Sequence, residues 1–263
     1  MAETVLYVYA ITRDAVIPGE EAPDLEAVNQ TRRFGNVESG GIAAVFTAVD
    51  AAEFSQEGID RRAADLEWLG AIGYRHQAVV ADLMKRTTII PLRAFALFSS
   101  ADAVRAYLDE HRAALDAVLT RLAGKQEWTL RIELEPQRWS EALTSRVASL
   151  AALQNELQTA STGKAFLLRK KLEDEKKKAS REAELQLVAE IESAVAERLA
   201  CETVAESRER REGAFPQINV LLNRDEESRL QELQNELMSR YAAEGVTLAV
   251  SGPWPPYTFA SPS

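Results

Sequence analysis

Apolar residues fall into three patterns along the chain: short continuous runs, strict alternations, and stripes at spacings of three and four. Val5-Leu6-Tyr7-Val8-Tyr9-Ala10-Ile11 is a continuous run rich in β-branched and aromatic residues, and it predicts a strand buried on both faces. Asp14 to Asp24, with Pro18, Gly19 and Pro23, predicts a loop, and Leu25 to Phe34 a weaker strand. Gly40-Gly41 marks a turn before another strand, Ile42 to Val49. From Asp60 to Arg86 the period becomes helical, with Leu66, Leu69, Gly73, Gln77 and Val80 on one face. Trp68, Ile72, Val79 and Leu83 form an adjoining stripe. Thr87 to Phe98 opens as a strand that Pro91 confines to an edge or a bulge. Ser99 or Ser100 then caps a helix that ends at Gly124, with Asp102 in its first turn.

Beyond Gly124 the pattern restarts. Trp128, Leu130, Ile132 and Leu134 alternate strictly with polar residues and predict a half-buried strand. Arg138 to Ala200 contains no proline and a single glycine, Gly163, which divides it into two predicted helices, Arg138 to Gln158 and Lys164 to Ala200. The second would span about 55 Å. Leu185, Val188, Ile191, Val195 and Leu199 give its later part an apolar seam, whereas Arg169 to Lys178 is nearly all charged. Lys176-Lys177-Lys178 with Arg181 could form an anion patch, but the interleaved acids favour a solvated face. A short strand near Cys201 to Arg208, a hairpin-like Arg210 to Gly213 and a strand Pro216 to Asn223 follow. Asp225 or Asn223 caps a helix carrying Leu230, Leu233, Leu237 and Tyr241, and Val246 to Val250 is the last strand.

These elements predict an α+β fold of two domains. An N-terminal α+β sheet domain spans 1–124. A ferredoxin-like domain with the order β-α-β-β-α-β spans 125–250 and carries a long helical insertion, an arm from about 138 to 200. Residues 251–263 form a proline/aromatic segment, in which Pro253, Pro255 and Pro256 stiffen the backbone around Trp254, Tyr257 and Phe259. Such a segment is expected to fold back as a clasp that buries Trp254 and Tyr257, since exposed together these rings would be a liability.

Composition narrows the function without naming it. The 263 residues are 46% hydrophobic and 27% charged, with a formal charge of −10, which opposes binding to nucleic acid and to anionic membranes. No stretch has the length of a membrane span, the first residues lack the pattern of a signal peptide, and the one cysteine, Cys201, fits a reducing compartment. A cytoplasmic chain is expected. No nucleophile elbow, phosphate loop or metal-ligand spacing occurs, so no catalytic, cofactor-binding or metal residues are assigned. His76 and His111 lack sequence partners and are expected to be a satisfied structural histidine and a solvated one.

Several segments together resemble the gas vesicle GvpF/GvpL family. They are Leu6 to Ile11; Trp68 with His76 to Val79; Ile90-Pro91-Leu92-Arg93-Ala94-Phe95 running to Ser100; and Glu127-Trp128. Gly163-Lys164-Ala165-Phe166-Leu167-Leu168-Arg169-Lys170-Lys171 and Gly252-Pro253-Trp254-Pro255-Pro256-Tyr257-Thr258-Phe259 complete the set. The third segment usually reads closer to Leu-Pro-Leu-Arg-Phe-Gly-Thr in the family, and the glycine-led one has tyrosine at Phe166. Trp68, His76, Pro91, Arg93, Trp128 and the tail residues Pro253, Trp254, Pro255, Pro256, Tyr257 and Phe259 are therefore treated as a structural signature. The resemblance implies a non-enzymatic accessory protein of gas vesicle assembly, without cofactor. Its partners would be the hydrophobic vesicle wall protein and other vesicle proteins, and its location the gas vesicle and cytoplasm. Lys164, Arg169, Lys170 and Lys171 on the arm are the candidate partner-binding residues. The alternative is a ligand-sensing regulatory protein built on the ferredoxin-like domain.

Overall fold

A computed structural model describes residues 3–20, 22–206 and 216–261 of the chain. The backbone separates into two compact units, Met1–Glu127 together with Pro253–Ser263, and Trp128–Gly252. The predicted Arg210 to Gly213 hairpin lies outside the described residues.

In the first unit, β1 (Thr4–Thr12), β2 (Gly35–Ser39), β3 (Ile42–Asp50), β4 (Ile89–Pro91) and β5 (Leu97–Phe98) form an antiparallel sheet. Its order is β2-β3-β1-β4, with β5 also on β1. Every residue from Tyr7 to Ile11 is buried, as the apolar run of β1 requires of an interior strand. Gly40 and Gly41, at φ 55° and 85°, make the tight hairpin between β2 and β3. Leu25 to Phe34 is not a strand. The Gln30 N–H bonds back to the Ala27 carbonyl, the Ala27 N–H bonds to the Thr31 carbonyl, and Gln30 takes φ 61°, so the chain turns there. Pairing with β3 begins only at Gly35.

The helical run after β3 is three pieces: α1 (Ala51–Phe54), α2 (Gln56–Arg62) and α3 (Leu66–Arg86). Asp50, Ser55 and Asp65 each accept a backbone N–H at a helix start, and these caps break the run. Trp68, Ile72, Val79 and Leu83, joined by His76 and Val80, face the core. The other predicted face is split: Leu66, at 79% exposure, and Gly73 point outward, Gln77 is half-buried, and Leu69 and Val80 pack with the core. Pro91 ends β4, a turn through Phe95 separates it from β5, and both short strands hydrogen-bond to β1. The helix expected up to Gly124 is divided at His111 into α4 (Ala101–Glu110), capped by Ser100, and α5 (Arg112–Leu122).

The second unit contains β6 (Lys125–Leu134), α6 (Pro136–Arg146), α7 (Ala148–Thr159) and α8 (Thr162–Leu199). These are followed by β7 (Glu202–Glu206), β8 (Gln217–Asn223), α9 (Glu227–Tyr241) and β9 (Val246–Trp254). The sheet order β7-β8-β6-β9 is the ferredoxin-like arrangement, in which the first strand lies between the third and the fourth. Trp128, Leu130 and Ile132 of β6 and Ile218, Val220 and Leu222 of β8 join α8 and α9 in one core. Three details differ from expectation. The helix predicted over Arg138 to Gln158 breaks at Val147, whose ψ of 104° is extended. On α8 the core takes Leu187 rather than Leu185, which is 47% exposed. Glu226, not Asn223 or Asp225, occupies the N-cap of α9, and the Asn223 amide donates to its carboxylate.

Candidate functional site

Two clusters stand out, one in each unit, and they are built in opposite ways. The first surrounds His76. Tyr7 and Tyr9 project from β1 and are fully buried. The Tyr7 hydroxyl donates to His76 Nδ1 at 3.0 Å and accepts the Phe95 N–H at 3.1 Å. His76 Nε2 lies 3.1 Å from the Leu92 carbonyl oxygen, which can only accept, so the ring proton sits on Nε2. The Tyr257 hydroxyl, 3.1 Å from the same nitrogen, accepts a share of that N–H and donates to the Gln77 side-chain carbonyl at 3.4 Å. Burial pushes the His76 pKa down to about 4, against the weaker opposing effect of the Leu92 carbonyl. Burial also raises Tyr7 and Tyr9, and takes Tyr257 to about 12. At neutral pH the cluster is therefore an uncharged network whose polar atoms engage one another.

Aromatic rings enclose this network. Tyr7 meets Phe54 edge-on at 5.9 Å, and Trp68 lies 5.7 Å from Phe95. The Trp68 indole donates to Glu53 at 3.1 Å, and the Arg62 guanidinium sits 4.7 Å over its ring. Phe95 holds φ 66°, a left-handed conformation that costs a residue with a Cβ about 1–2 kcal/mol. In the pattern Leu-Pro-Leu-Arg-Phe-Gly-Thr this position is the glycine. Here a phenylalanine takes a backbone conformation that favours glycine, its own ring lies over Trp68, and Ala94 stands exposed. The Ala94-Phe95-Ala96 departure thus exchanges backbone ease for ring packing.

The C-terminal segment is fastened to this same unit. Both carboxylate oxygens of Glu127 accept from Thr258, from the N–H at 3.0 Å and the hydroxyl at 2.7 Å. Arg121 donates to the carbonyls of Phe259 and Ser261. Phe259 is buried, and Tyr257 packs against the core of the unit. Trp254 departs from expectation, because the residue is 45% exposed. Glu127 and Arg121 hold Thr258, Phe259 and Ser261, and Trp254 itself ends β9 rather than opening the clasp.

In the second unit, α7 packs against the N-terminal half of α8 to make a two-helix arm. Ala165 and Leu168 are buried there, while Phe166 and Leu167 are 68% and 67% exposed. Lys164 pairs with Glu156 at 2.7 Å, and Arg169, Lys170 and Lys171 are exposed on the next turn. On the 3.6-residue period Phe166, Leu167, Lys170 and Lys171 share the side opposite Ala165, Leu168 and Leu172. Elsewhere in this unit a cavity of about 260 Å³ is lined by Arg198, Arg229 and Glu236 among others. Its guanidiniums are committed within the protein, Arg198 to Glu236 and Arg229 to Glu226 and the Arg198 carbonyl.

Comparison with known proteins decides the family. The profile described as gas vesicle synthesis protein GvpL/GvpF matches residues 5–261. The chain belongs to this family. It is 28% identical to gas vesicle protein L of Streptomyces sp. (strain CB03234), over 97% of this chain and 92% of that protein. It is 27% identical to gas vesicle protein L2 of Halobacterium salinarum (strain ATCC 700922 / JCM 11081 / NRC-1), over 97% and 90%. The crystal structure of gas vesicle protein GvpF from Anabaena sp. PCC7120 superposes with a TM-score of 0.71, covering 99% of both chains at 16% identity. That of GvpF from Microcystis aeruginosa gives 0.66 at 14% identity, over 98% of this chain and 99% of that one. The family takes part in gas vesicle formation. No helix among the described residues is long and apolar enough to cross a membrane. Nor do the described residues hold a group of three or more His, Cys, Asp or Glu arranged for a metal ion.

The signature residues spread over both units. Trp68, His76 and Phe259 are buried in the first, Tyr257 is half-buried there, and Pro91 is buried in β4. Arg93 and Pro253 are exposed, Pro255 and Pro256 are buried, and Trp128 sits in the core of the second unit. Sequence reasoning did not single out Glu127 as the tail's anchor, or Phe166 and Leu167 as exposed. An acid at the head of a β-strand carries no signal of its distant partner. The exposure of Phe166 and Leu167 follows from which helix α8 meets, although their place among four basic residues was a visible hint.

Proposed function

We propose that this protein is a non-enzymatic assembly factor or minor shell component of gas vesicles. It binds the hydrophobic vesicle wall protein and other vesicle proteins by protein–protein contact, acting in the cytoplasm and at the vesicle. The contact surface is the arm tip, where Lys164, Arg169, Lys170 and Lys171 surround Phe166 and Leu167. The observation that carries it is this exposed aromatic and aliphatic pair with cations beside it. Large apolar side chains left in water on a helix whose other side is packed are the hallmark of an interaction surface. A subunit destined for a gas-facing wall is prone to aggregate before it assembles, and a soluble binder would keep it dispersed.

Co-expression with the wall protein, followed by pull-down, tests the proposal. The intact chain is expected to retain the wall protein, and a chain carrying Phe166→Ala, Leu167→Ala, Lys170→Glu and Lys171→Glu to lose it. Normal vesicles in a strain lacking the gene, together with no recovered complex, would sink the idea.

A further inference from the structure

Eight large hydrophobic side chains are exposed among the described residues, and four of them stand well above the rest. Two are Phe166 and Leu167 on the arm. The other two are Leu66 and Tyr74, at 79% and 78% exposure, on the outward side of α3. Leu66, Gly70, Gly73 and Tyr74 lie within one face of that helix, opposite Trp68, Ile72 and Val79. Apart from chain neighbours and the helix's own backbone, nothing lies within 4 Å of where a Cβ would stand on Gly70 or Gly73, so the face is a shallow trough between a leucine and a tyrosine.

The charges around the two patches are complementary. Residues 50 to 74 carry six carboxylates against two arginines, and Glu67 lies on the outward side itself. Residues 160 to 172 carry four basic side chains and no acid. We infer that the arm tip of one copy docks on the outer face of α3 of a second copy, Phe166 and Leu167 entering the trough between Leu66 and Tyr74. Lys170 and Lys171 then meet Glu67 and the acids that precede α3. The contact joins unlike surfaces, basic tip to acidic face, so it either repeats head to tail or is made twice in a two-fold pair. This inference rests on the proposed function only in taking the arm tip as a binding surface. It is tested with no other vesicle protein present, so its failure and that of wall-protein binding are separate results.

Sedimentation equilibrium of the full chain is the experiment. Self-association is expected at low salt and should weaken about tenfold or more between about 0.05 M and about 0.5 M salt, as attraction across Debye-length distances is screened. A tip variant, Lys170→Glu with Lys171→Glu, and a face variant, Leu66→Lys with Glu67→Lys, should each be monomeric alone. Mixed, they should form a one-to-one pair that grows no further, because each keeps the half the other lacks. Circular dichroism monitors folding, and the milder pair Phe166→Ala and Tyr74→Ala repeats the test if a charge variant unfolds. A chain that stays monomeric at low salt, variants that associate like the wild type, or a mixture that forms no pair would each overturn the inference.

Discussion

The His76 cluster and the arm tip use similar side chains to opposite ends. Around His76, rings and polar groups are buried and matched, donor to acceptor, until the whole is uncharged. At the arm tip, Phe166 and Leu167 stand in water among cations, of which Lys164 pairs with Glu156 and Lys171 adds to the positive field on the same carboxylate. Burial converts polar groups into fixed structure because each must be satisfied inside the protein. Exposure leaves apolar groups available to a partner.

A phenylalanine deletion in each region tests that contrast most severely. Phe259→Ala should destabilise the first unit by about 3–5 kcal/mol, by urea midpoint, and release the tail to proteolysis. If it is neutral, the tail is not a structural part of that unit. Next comes pH. His76 stays neutral in the fold down to about pH 4 but protonates near pH 6.5 when unfolded. The unfolded chain therefore binds the extra proton between these values, and stability falls as pH drops through that window. The wild type should lose about 3 kcal/mol more than a His76→Gln chain between pH 7 and pH 4. Parallel pH profiles would mean that the imidazole is not held neutral.

Smaller effects sharpen the comparison. Glu127→Gln leaves one Thr258 donor facing an amide, and should cost about 1–2 kcal/mol and speed hydrogen exchange in the tail. Phe95→Gly should be less damaging than Phe95→Ala by about 1 kcal/mol, since both lose the ring but only glycine relaxes at φ 66°. Equal losses would argue against strain at that residue. Phe166→Ala should change stability by no more than about 0.5 kcal/mol in either direction, while weakening association. A large drop in its melting temperature would make the arm tip part of the core and remove it as a binding surface.

Periodicity alone supplied much of the architecture. The run through Tyr7 and Tyr9 required an interior strand, the alternation from Trp128 to Leu134 required a half-buried one, and the later order required the ferredoxin-like sheet. These are short-range consequences of side-chain spacing, and neighbouring residues suffice to set them. The segmental resemblance named the family before any coordinate was needed. Faces and partners needed the third dimension. Leu66 and Trp68 both sit on helical stripes, and only the folded arrangement, with Phe54 and Phe95 against the indole, decided that Trp68 goes inward. Phe95 could take a glycine's backbone because Trp68, Tyr7 and Phe54 hold its ring. The tail's rings were expected to act together, but Phe259 is buried and Tyr257 packs on the core, while Trp254 at the end of β9 stays 45% exposed. Local spacing sets what a segment can bury; which of its surfaces finds a partner is decided by residues distant in the chain, more than a hundred positions away for the tail.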